Sequence, residues 1–428
     1  MNMNWNDLLS TARFSSESSL SEELMDQYRD QWHRDHDRII FSGAFRRLAV
    51  KTQVHSLPEN DHVHTRLSHS LEVASVGRSL GSRLGCWMID QGVLAESHTA
   101  NGIGILVQSA CLAHDIGNPP FGHAGEQSIR NFFEKNKFYL EGLTVCEGLD
   151  FTGFEGNAQG LRVLTALERH WLNGGMRLTA STLGTFIKYP FTSESVVALH
   201  KGKHGVNQAE LPFMRILADE LGLLRKTDDS WARHPLVYAV EAADDICYAL
   251  IDLEDVVELG HLNYKEVSIL MTELVDQGAK PQFYRQFLEE PGLKLEVLRS
   301  AAIDALIHEA EKRFIAHYEA LMTGQFDEDL LDWRRASAGE VIQRAKELAR
   351  ERVYVDYNEK TNAVRSGQLL TGVLTHLIDG AEAFYKASGT ENKIGAKARD
   401  AINRLGKFRP KLEDSKYQRL LKVTDYVS

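Results

Sequence analysis

Apolar residues recur every three to four positions along most of this sequence, and few prolines interrupt them. Only nine prolines occur in 428 residues, well below the average usage of about 5%. Proline breaks a helix by removing a hydrogen-bond donor and clashing with the preceding turn, so long helices form easily in such a chain. We therefore predict an all-α fold with at most a few short strands, such as one over Val353–Val355.

Two predicted helices bear on function. One runs from Arg66 to about Asp90, and a second, mostly apolar and therefore buried, covers Ile103–His114. The segment 117–120, Gly-Asn-Pro-Pro, must end the preceding helix, and a new helix is predicted to start near His123. The other predicted helices are Ser21–Arg38, Glu155–Trp171, Leu211–Leu223, Leu236–Val257, Leu295–Leu321, Ala336–Arg352, Gly367–Ala387 and Asn392–Leu405.

The length of the chain suggests two or three domains. No repeat, low-complexity tract or long linker separates them. The best boundary lies near residue 260, so we predict a catalytic helical core over residues 1–260. A helical C-terminal region over residues 261–428 is expected to pack on that core.

Charge and composition exclude several classes of protein. Lys and Arg total 49 against 60 Asp and Glu, a net charge of −11, which disfavours a nucleic-acid binder held by its whole surface. The longest mostly apolar runs are about half of the roughly 20 residues that a membrane span needs. The sequence starts without the pattern of a signal peptide, and its four cysteines form no CxxC pair. We expect a cytoplasmic protein with no membrane partner.

Standard nucleotide-binding and hydrolase motifs are missing or misplaced. The sequence contains neither a Walker loop nor a GxGxxG segment. Residues 77–81, Gly-Arg-Ser-Leu-Gly, match the G-x-S-x-G pattern of a nucleophile elbow, but that motif requires a strand before the serine. Because the pattern lies inside a predicted helix, we interpret it as small-residue helix packing.

The most informative feature is a set of metal-ligating side chains. His114 and Asp115 are adjacent at the end of the buried helix, where an Asp is costly unless it is paired or bound to a cation. His69 lies in a second helix and Asp244 in a third. Two imidazoles and two carboxylates suit Mn, Fe or Mg. Taken alone, these residues also fit a satisfied buried histidine and a helix-capping Asp.

The order His69, His114-Asp115, Asp244 resembles the H…HD…D signature of the HD phosphohydrolase superfamily. The flanking sequence resembles one branch, the deoxynucleoside triphosphate triphosphohydrolases, or dGTPase-like proteins. A single His-Asp pair is weak evidence for the family, whereas many matching segments in the same order are specific evidence. The sequence resemblance extends to about residue 260. The matching segments are Arg34–Ile40, Ala44–Leu48, Lys51–Val54, His64–His69, His114–Glu126, Phe154–Gln159, Lys188–Pro190 and Glu241–Asp252.

The resemblance implies an HD-type core that hydrolyses deoxynucleoside triphosphates, dGTP among them, to deoxynucleoside and inorganic triphosphate in nucleotide-pool control. It implies a divalent ion, Mn²⁺ or Mg²⁺ ahead of Fe, Co or Ni. The implied metal ligands are His69, His114, Asp115 and Asp244.

Asp245 competes with Asp244 for the fourth ligand position. We prefer Asp244, because Asp244, Tyr248 and Asp252 recur at i, i+4 and i+8 on one helical face. Tyr248 would then lie against the sugar, and Asp252 would accept a hydrogen bond from the 3′-hydroxyl.

His123 and Glu126 are three residues apart, hence neighbours on the first turn of the helix after the prolines. A histidine oriented by a carboxylate is a common general acid or base near neutral pH. The resemblance places this pair beside the α-phosphate, with His123 in attack or proton transfer and Glu126 orienting it. The alternative is an exposed histidine beside a Glu that favours the helix dipole.

A triphosphate carries roughly four negative charges, which an acidic protein must meet with focused cations. Arg66 is three residues before His69 and should project from the same helix face. The resemblance assigns Lys188 and Tyr189 to the phosphates and Gln53 to the sugar 3′-hydroxyl.

Other polar residues have weaker assignments. Asn157 and Gln159 fit pocket lining, but N-cap or polar-core roles fit equally. We interpret Lys201–His204 as a surface loop, in preference to a basic lip at a pocket mouth.

The resemblance also implies a homo-oligomer, a hexamer or another even assembly, with single-stranded DNA or a nucleotide as an effector. Two other functions stay open: a phosphohydrolase acting on another nucleotide, and a protein that only senses a nucleotide or single-stranded DNA. The presence of both His123 and Glu126 argues against the sensor, since a pure binder needs no acid–base pair.

Overall fold

The computed structural model describes residues 2–14, 20–21, 29–51, 65–168, 175–258, 262–277, 295–332, 339–353 and 357–428. Helices dominate this part of the chain, which confirms the all-α prediction. Strand β1 (Arg13–Phe14) pairs antiparallel with β2 (Leu20–Ser21), and β3 (Arg225–Thr227) pairs with β4 (Ser230–Trp231).

The helices before residue 260 build the part of the fold that carries the predicted site. They are α1 (Trp5–Leu8), α2 (Gln31–Ile40), α3 (Gly43–Arg47), α4 (Arg66–Asp90), α5 (Ala100–Ala113), α6 (Gly122–Lys135), α7 (Val145–Thr152), α8 (Gly156–Arg162), α9 (Ala180–Phe186), α10 (Val196–Lys201), α11 (Leu211–Glu220) and α12 (Val237–Glu258).

The helices after residue 260 are α13 (Tyr264–Gln277), α14 (Leu295–Ala316), α15 (Tyr318–Met322), α16 (Gly339–Val353), α17 (Tyr357–Lys386), α18 (Ala396–Leu405) and α19 (Lys416–Val427). The strand predicted over 353–355 is wrong at Val353, which is the last residue of α16; residues 354–356 lie outside the described part. No helix in the described ranges has the length and apolar content that crossing a membrane requires.

Local capping sets where α4 begins. The hydroxyl of Thr65 accepts a hydrogen bond from the Ser68 N–H, and the hydroxyl of Ser68 accepts one from the Thr65 N–H. This reciprocal pair satisfies two helix-end donors and fixes the first turn. Arg66 and His69 lie on that turn, so the cap also fixes the start of the predicted site.

Helix α5 ends before the two prolines, as the sequence predicted. Gly117 has φ +105°, and a Cβ there would lie 2.2 Å from the backbone nitrogen of Gly160. Phe121 then adopts a left-handed φ of 67° before α6 starts at Gly122. Such a conformation costs a non-glycine residue about 1–2 kcal/mol. The strained turn redirects the chain so that Asp115 and His123 line the same cavity.

Helices α4 and α5 pack through glycines. A Cβ on Gly77 would lie 2.4 Å from the Cys111 sulfur, and one on Gly81 would lie 2.9 Å from the Val107 side chain. Gly77 and Gly81 are the two glycines of the G-x-S-x-G pattern, which lies wholly inside α4. The pattern therefore serves helix packing, as predicted.

Two hydrophobic cores organise the described residues. The first contains the buried faces of α4, α5 and α12 and includes further buried residues of the described ranges 262–277, 295–332 and 339–345. The second joins Ile129, Phe132 and Phe133 of α6 and Phe151 of α7 to α17, α18 and α19. Helix α6 thus begins at the cavity and ends in the second core. The domain boundary near residue 260 stays a prediction, and residues 259–261 lie outside the described part.

Candidate active site

A cavity of about 350 Å³ opens where the first turn of α4, the end of α5, the start of α6 and one face of α12 meet. Volumes of this size are typical of small-molecule sites. The charged and histidine side chains that line it are Arg66, His69, His114, Asp115, His123, Glu126, Glu155, Lys188, Lys203, Glu241 and Asp244. The other lining residues are Asn118, Asn157, Phe186, Tyr189, Val237, Val240 and Tyr248.

The structure brings together the four predicted metal ligands. Ligand atoms of His69, His114 and Asp115 all lie within 4.8 Å of one another. The carboxylate of Asp244 closes the group, with its Oδ1 3.0 Å from His69 Nε2 and 3.5 Å from His114 Nε2. Asp244, and not its neighbour Asp245, is among the residues that line the cavity.

Neighbouring residues aim these ligands. The Nδ1 of His114 lies 2.7 Å from the carbonyl oxygen of Cys111. Because a carbonyl oxygen can only accept, Nδ1 carries the proton and Nε2 faces the cluster. Asp115 accepts hydrogen bonds from Arg66 Nη1 at 2.7 and 2.8 Å and from Asn118 Nδ2 at 2.5 Å. Both side chains are therefore held in fixed orientations within the cluster.

The carboxylates control the charge of the cluster. Burial alone would lower the pKa of His114, but Asp244 and Asp115 outweigh it and raise that pKa to about 9. Burial would raise the pKa of Asp244, yet His114 and His69 hold it well below its ordinary value. Arg66, followed by His114, keeps the pKa of Asp115 low against the same effect of burial. Both carboxylates stay ionised near neutral pH.

The arrangement fits a divalent cation. Five carboxylates and three Lys or Arg side chains line the cavity, so the carboxylates outnumber these cations by two. A polyanionic ligand would be repelled by such a surface unless a cation compensated it. Imidazole and carboxylate donors with room for further ligands suit hard and borderline divalent ions.

The predicted His123–Glu126 pair is formed at the start of α6. His123 Nδ1 lies 3.0 Å from Glu126 Oε2, and the histidine side chain is 87% exposed whereas that of Glu126 is 4% exposed. The N–H of Gly156 donates to the other Glu126 oxygen at 2.8 Å. Burial would raise the pKa of Glu126, but the His123 hydrogen bond and the Lys203 charge hold it at about 2. A permanently ionised carboxylate therefore orients a solvent-accessible imidazole.

The Lys and Arg side chains that line the cavity form ion pairs with carboxylates. Lys188 Nζ lies 3.2 Å from Glu241 Oε1, and Arg233 binds the other Glu241 oxygen at 2.8 Å. Arg66 is paired with Asp115, as described above. These carboxylates hold the cations in place at the cavity wall and partly neutralise them.

The segment at Lys201–His204 corrects an interpretation. Lys203 lines the cavity, 2.9 Å from Glu155 and 3.7 Å from Glu126. His204 is only 3% exposed, so the assignment of this segment to a plain surface loop is wrong for both residues. Burial lowers the pKa of His204 to about 4, which keeps its imidazole neutral. The sequence of this loop, with its Lys and Gly residues, does not indicate that the loop folds onto the cavity.

The remaining predicted residues divide into two groups. Tyr189 and Tyr248 line the cavity. Asp252 lies on α12 two turns beyond Asp244, but its side chain is outside the described part, and Gln53 belongs to the undescribed segment 52–64. Asn157 lines the cavity, whereas Gln159 is buried and binds Asp425.

Sequence reasoning missed Asn118, Glu155 and Glu241 as cavity residues. Each lies beside a predicted residue: Asn118 follows the His-Asp pair, Glu155 precedes Asn157, and Glu241 is one turn before Asp244. Their position in the matching segments was the signal that could have found them.

The chain is similar to known proteins over the HD domain and beyond it. The HD domain family profile matches residues 66–170, which contain three of the four metal-cluster residues and the His123–Glu126 pair. A deoxyguanosinetriphosphate triphosphohydrolase-like protein of Pseudomonas aeruginosa is 44% identical over all of this chain and 95% of its own length. One from Synechocystis is 35% identical over 100% of this chain and 96% of its own.

A protein of Yersinia pestis named deoxyguanosinetriphosphate triphosphohydrolase is 30% identical over 84% of this chain and 78% of its own length. The first two similarities cover both hydrophobic cores, well beyond the HD domain itself. The chain therefore belongs to the deoxyguanosinetriphosphate triphosphohydrolase-like family of HD-domain proteins.

Proposed function

We propose that this protein is a metal-dependent triphosphohydrolase that converts deoxynucleoside triphosphates, dGTP among them, to deoxynucleoside and inorganic triphosphate. Family membership supports a phosphohydrolase that acts on nucleotides. The observation that carries the finer proposal is that one cavity holds both the metal-type cluster and the His123–Glu126 pair. Control of nucleotide pools is the role that this reaction supports.

The residues that would hold the divalent ion are His69, His114, Asp115 and Asp244, with Mn²⁺ or Mg²⁺ as the ions we propose. When bound, such an ion supplies positive charge that polarises a phosphoryl oxygen and favours attack by water. Arg66 and Asn118 keep Asp115 oriented toward this position.

In the proposed reaction a water oxygen bonds to the α-phosphorus while the bond between that phosphorus and the 5′-oxygen breaks. His123 moves a proton at this step, either from the attacking water or to the leaving 5′-oxygen. Glu126 holds Nδ1 of the imidazole, which leaves Nε2 for the proton transfer. Since Glu126 is itself held by Gly156, the imidazole is oriented before substrate binds.

Lys188, Lys203 and Arg66 are the cations that we assign to the triphosphate. Each is positioned at the cavity wall by a carboxylate. Phosphate oxygens can share these donors, because an ammonium or guanidinium group carries more than one N–H. Tyr189 lies beside Lys188, and we assign the pair to the phosphates together.

The proposal is tested by incubating the protein with each of the four dNTPs, and with the matching ribonucleotides, in Mn²⁺ or Mg²⁺. We expect deoxynucleoside and inorganic triphosphate as the products separated by chromatography. A diphosphate, monophosphate or orthophosphate product would contradict the proposal and favour another nucleotide phosphohydrolase activity.

Tyr248 is expected to discriminate between sugars. It lies one turn beyond Asp244 on α12 and lines the cavity, so its ring can press on C2′ of a deoxyribose. A ribose would bury an extra hydroxyl there, and an unpaired buried hydroxyl costs about 1–3 kcal/mol. We predict that Tyr248→Ala narrows the dGTP-to-GTP ratio of kcat/KM by roughly tenfold or more. Asp252→Ala should lower kcat/KM for dGTP and for GTP by the same factor. An unchanged dGTP-to-GTP ratio in Tyr248→Ala would show that Tyr248 does not determine the sugar selectivity.

We further propose a cytoplasmic homo-oligomer, a hexamer or another even assembly, with single-stranded DNA or a nucleotide as an effector. Family resemblance supports these proposals. Mass photometry and activity assays with single-stranded DNA would test them.

A further inference from the structure

Helix α19 packs against helices that reach the cavity. Its residues Tyr417, Leu420 and Leu421 are buried in the second core together with Phe132 and Phe133 of α6. The helix also buries Asp425, whose side chain is fully inaccessible. A buried carboxylate must be paired, so its partners show what α19 holds in place.

In the described part of the chain, the side-chain hydrogen-bond partners of Asp425 lie on α8. Arg162 donates to both of its oxygens, from Nε at 2.7 Å and from Nη2 at 2.8 Å, and Gln159 Nε2 donates to Oδ1 at 3.0 Å. Arg162 also donates to Glu210 Oε1 at 2.6 Å. Two-point binding of a guanidinium by a carboxylate is both strong and directional. It fixes the C-terminal end of α8.

The other end of α8 holds the acid–base pair. Its first residue, Gly156, donates its N–H to Glu126 Oε1, and Glu126 Oε2 in turn binds His123. Between these ends, a Cβ on Gly160 would lie 2.3 Å from the carbonyl oxygen of Ile116, the residue after Asp115. Helix α8 therefore touches both halves of the active site, and its ends are only about 9 Å apart.

We propose that Asp425 is a positioning residue for the reaction: through Arg162 and Gln159 it fixes α8, whose first N–H orients Glu126 and thereby His123. This role rests on the proposed function and extends it to the C-terminal region, for which the sequence suggested none. Asp425 itself lies outside the cavity lining given above.

Asp425→Asn keeps the shape of the side chain and removes its charge. We expect kcat to fall roughly tenfold, because sub-ångström misplacement of a catalytic group is enough for such a loss. KM and the affinity for Mn²⁺ should stay within about twofold of the parent, since the Arg66–Asp115 and Lys188–Glu241 ion pairs include no residue of α8.

Glu382→Gln is the matched control. Glu382 of α17 binds Arg419 of α19 at 2.9 Å, so this variant weakens the same helix without touching α8. Its kcat should equal that of the parent even if its melting temperature falls as far as that of Asp425→Asn. If Asp425→Asn does not fold, Gln159→Leu, which removes one of the three hydrogen bonds to Asp425, takes its place with a smaller loss of kcat.

A second measurement needs no substrate. The exposed His123 should react with diethyl pyrocarbonate, and the hydrogen bond to Glu126 makes its ring more nucleophilic. Peptide mass spectrometry gives the labelling rate of His123 relative to the exposed His200. We expect this relative rate to fall at least about twofold in Asp425→Asn and to stay parental in Glu382→Gln.

The outcomes separate the two proposals. A loss of kcat and of His123 labelling in Asp425→Asn alone supports the positioning role. Parental values in Asp425→Asn, or an equal loss in Glu382→Gln, overturn it. If the parent protein releases no triphosphate from any dNTP while labelling still falls only in Asp425→Asn, the proposed function fails and the positioning role stands.

Discussion

Replacing His114 by alanine or Asp115 by asparagine is expected to abolish turnover and to remove the bound divalent ion. The first change removes an imidazole donor, and the second replaces an anionic carboxylate by a neutral amide, in a cluster with few protein ligands. A divalent ion contributes several kcal/mol of charge stabilisation in phosphoryl transfer, so kcat should fall by at least roughly 10³-fold. Asparagine is the better replacement for Asp115, because alanine would leave the buried Arg66 guanidinium without its acceptor.

Metal content by plasma mass spectrometry and kcat, measured on the same purified samples, check this prediction. His200→Ala, at an exposed histidine outside the cavity lining, should retain both. Asp244→Asn and Asp245→Asn form a second comparison, in which only the first should lose metal. Variants of His114 or Asp115 that keep full activity and full metal content would refute the assignment of the cluster.

Removing the imidazole of His123 should slow catalysis and leave the metal in place. His123→Ala is expected to reduce kcat by roughly 10²–10⁴-fold, the usual contribution of general acid–base catalysis. Metal content should remain near that of the parent, because His123 binds Glu126 and is not part of the metal-type cluster. Single-turnover kinetics together with metal analysis measure both effects.

The same variant has an outcome that would exclude the proposed role. If His123→Ala loses its metal along with its activity, His123 belongs to the coordination shell. Glu126→Gln provides the companion measurement. Because the pKa of Glu126 is about 2, this change removes a charge that is present at every working pH, and kcat should fall without loss of metal.

Periodicity was sufficient for α4 and α12, whereas the helix predicted over Ser21–Arg38 is wrong at its start: Ser21 belongs to β2, and the Asp30 cap makes α2 begin at Gln31. The prediction for α4, from Arg66 to Asp90, matches the structure, since Thr65 and Ser68 provide a local cap that needs no tertiary partner. The end of α5 before the two prolines was likewise predicted from the local sequence alone. Helix α19 was not predicted, because Arg419, Thr424 and Asp425 are buried polar residues that interrupt its apolar pattern. The burial of Arg419 and Asp425 depends on partners more than 30 residues away, Glu382 and Arg162, whereas Thr424 donates within the helix to Leu421.

The candidate site was predicted in its residue types and less well in its contacts. Family resemblance indicated His69, His114, Asp115 and Asp244, and these four side chains do meet. The pairing of Arg66 with Asp115 could not be read from spacing, because it depends on how α4 and α5 pack through glycines.

The position of Lys203 at the cavity could not be predicted either, because it also depends on tertiary contacts. Its loop is distant in sequence from Glu126 and Glu155, and only the folded chain brings these charges together.

Hydrolysis of each of the four dNTPs in H₂¹⁸O, followed by ³¹P NMR, tests the central claim most directly. Attack at the α-phosphorus predicts intact inorganic triphosphate with one ¹⁸O on a terminal phosphorus, and an unlabelled deoxynucleoside. Loss of this product in His114→Ala and its slow formation in His123→Ala would tie the bond cleavage to the site. Label in orthophosphate or diphosphate, with a deoxynucleoside diphosphate or monophosphate as the partner product, would contradict the account.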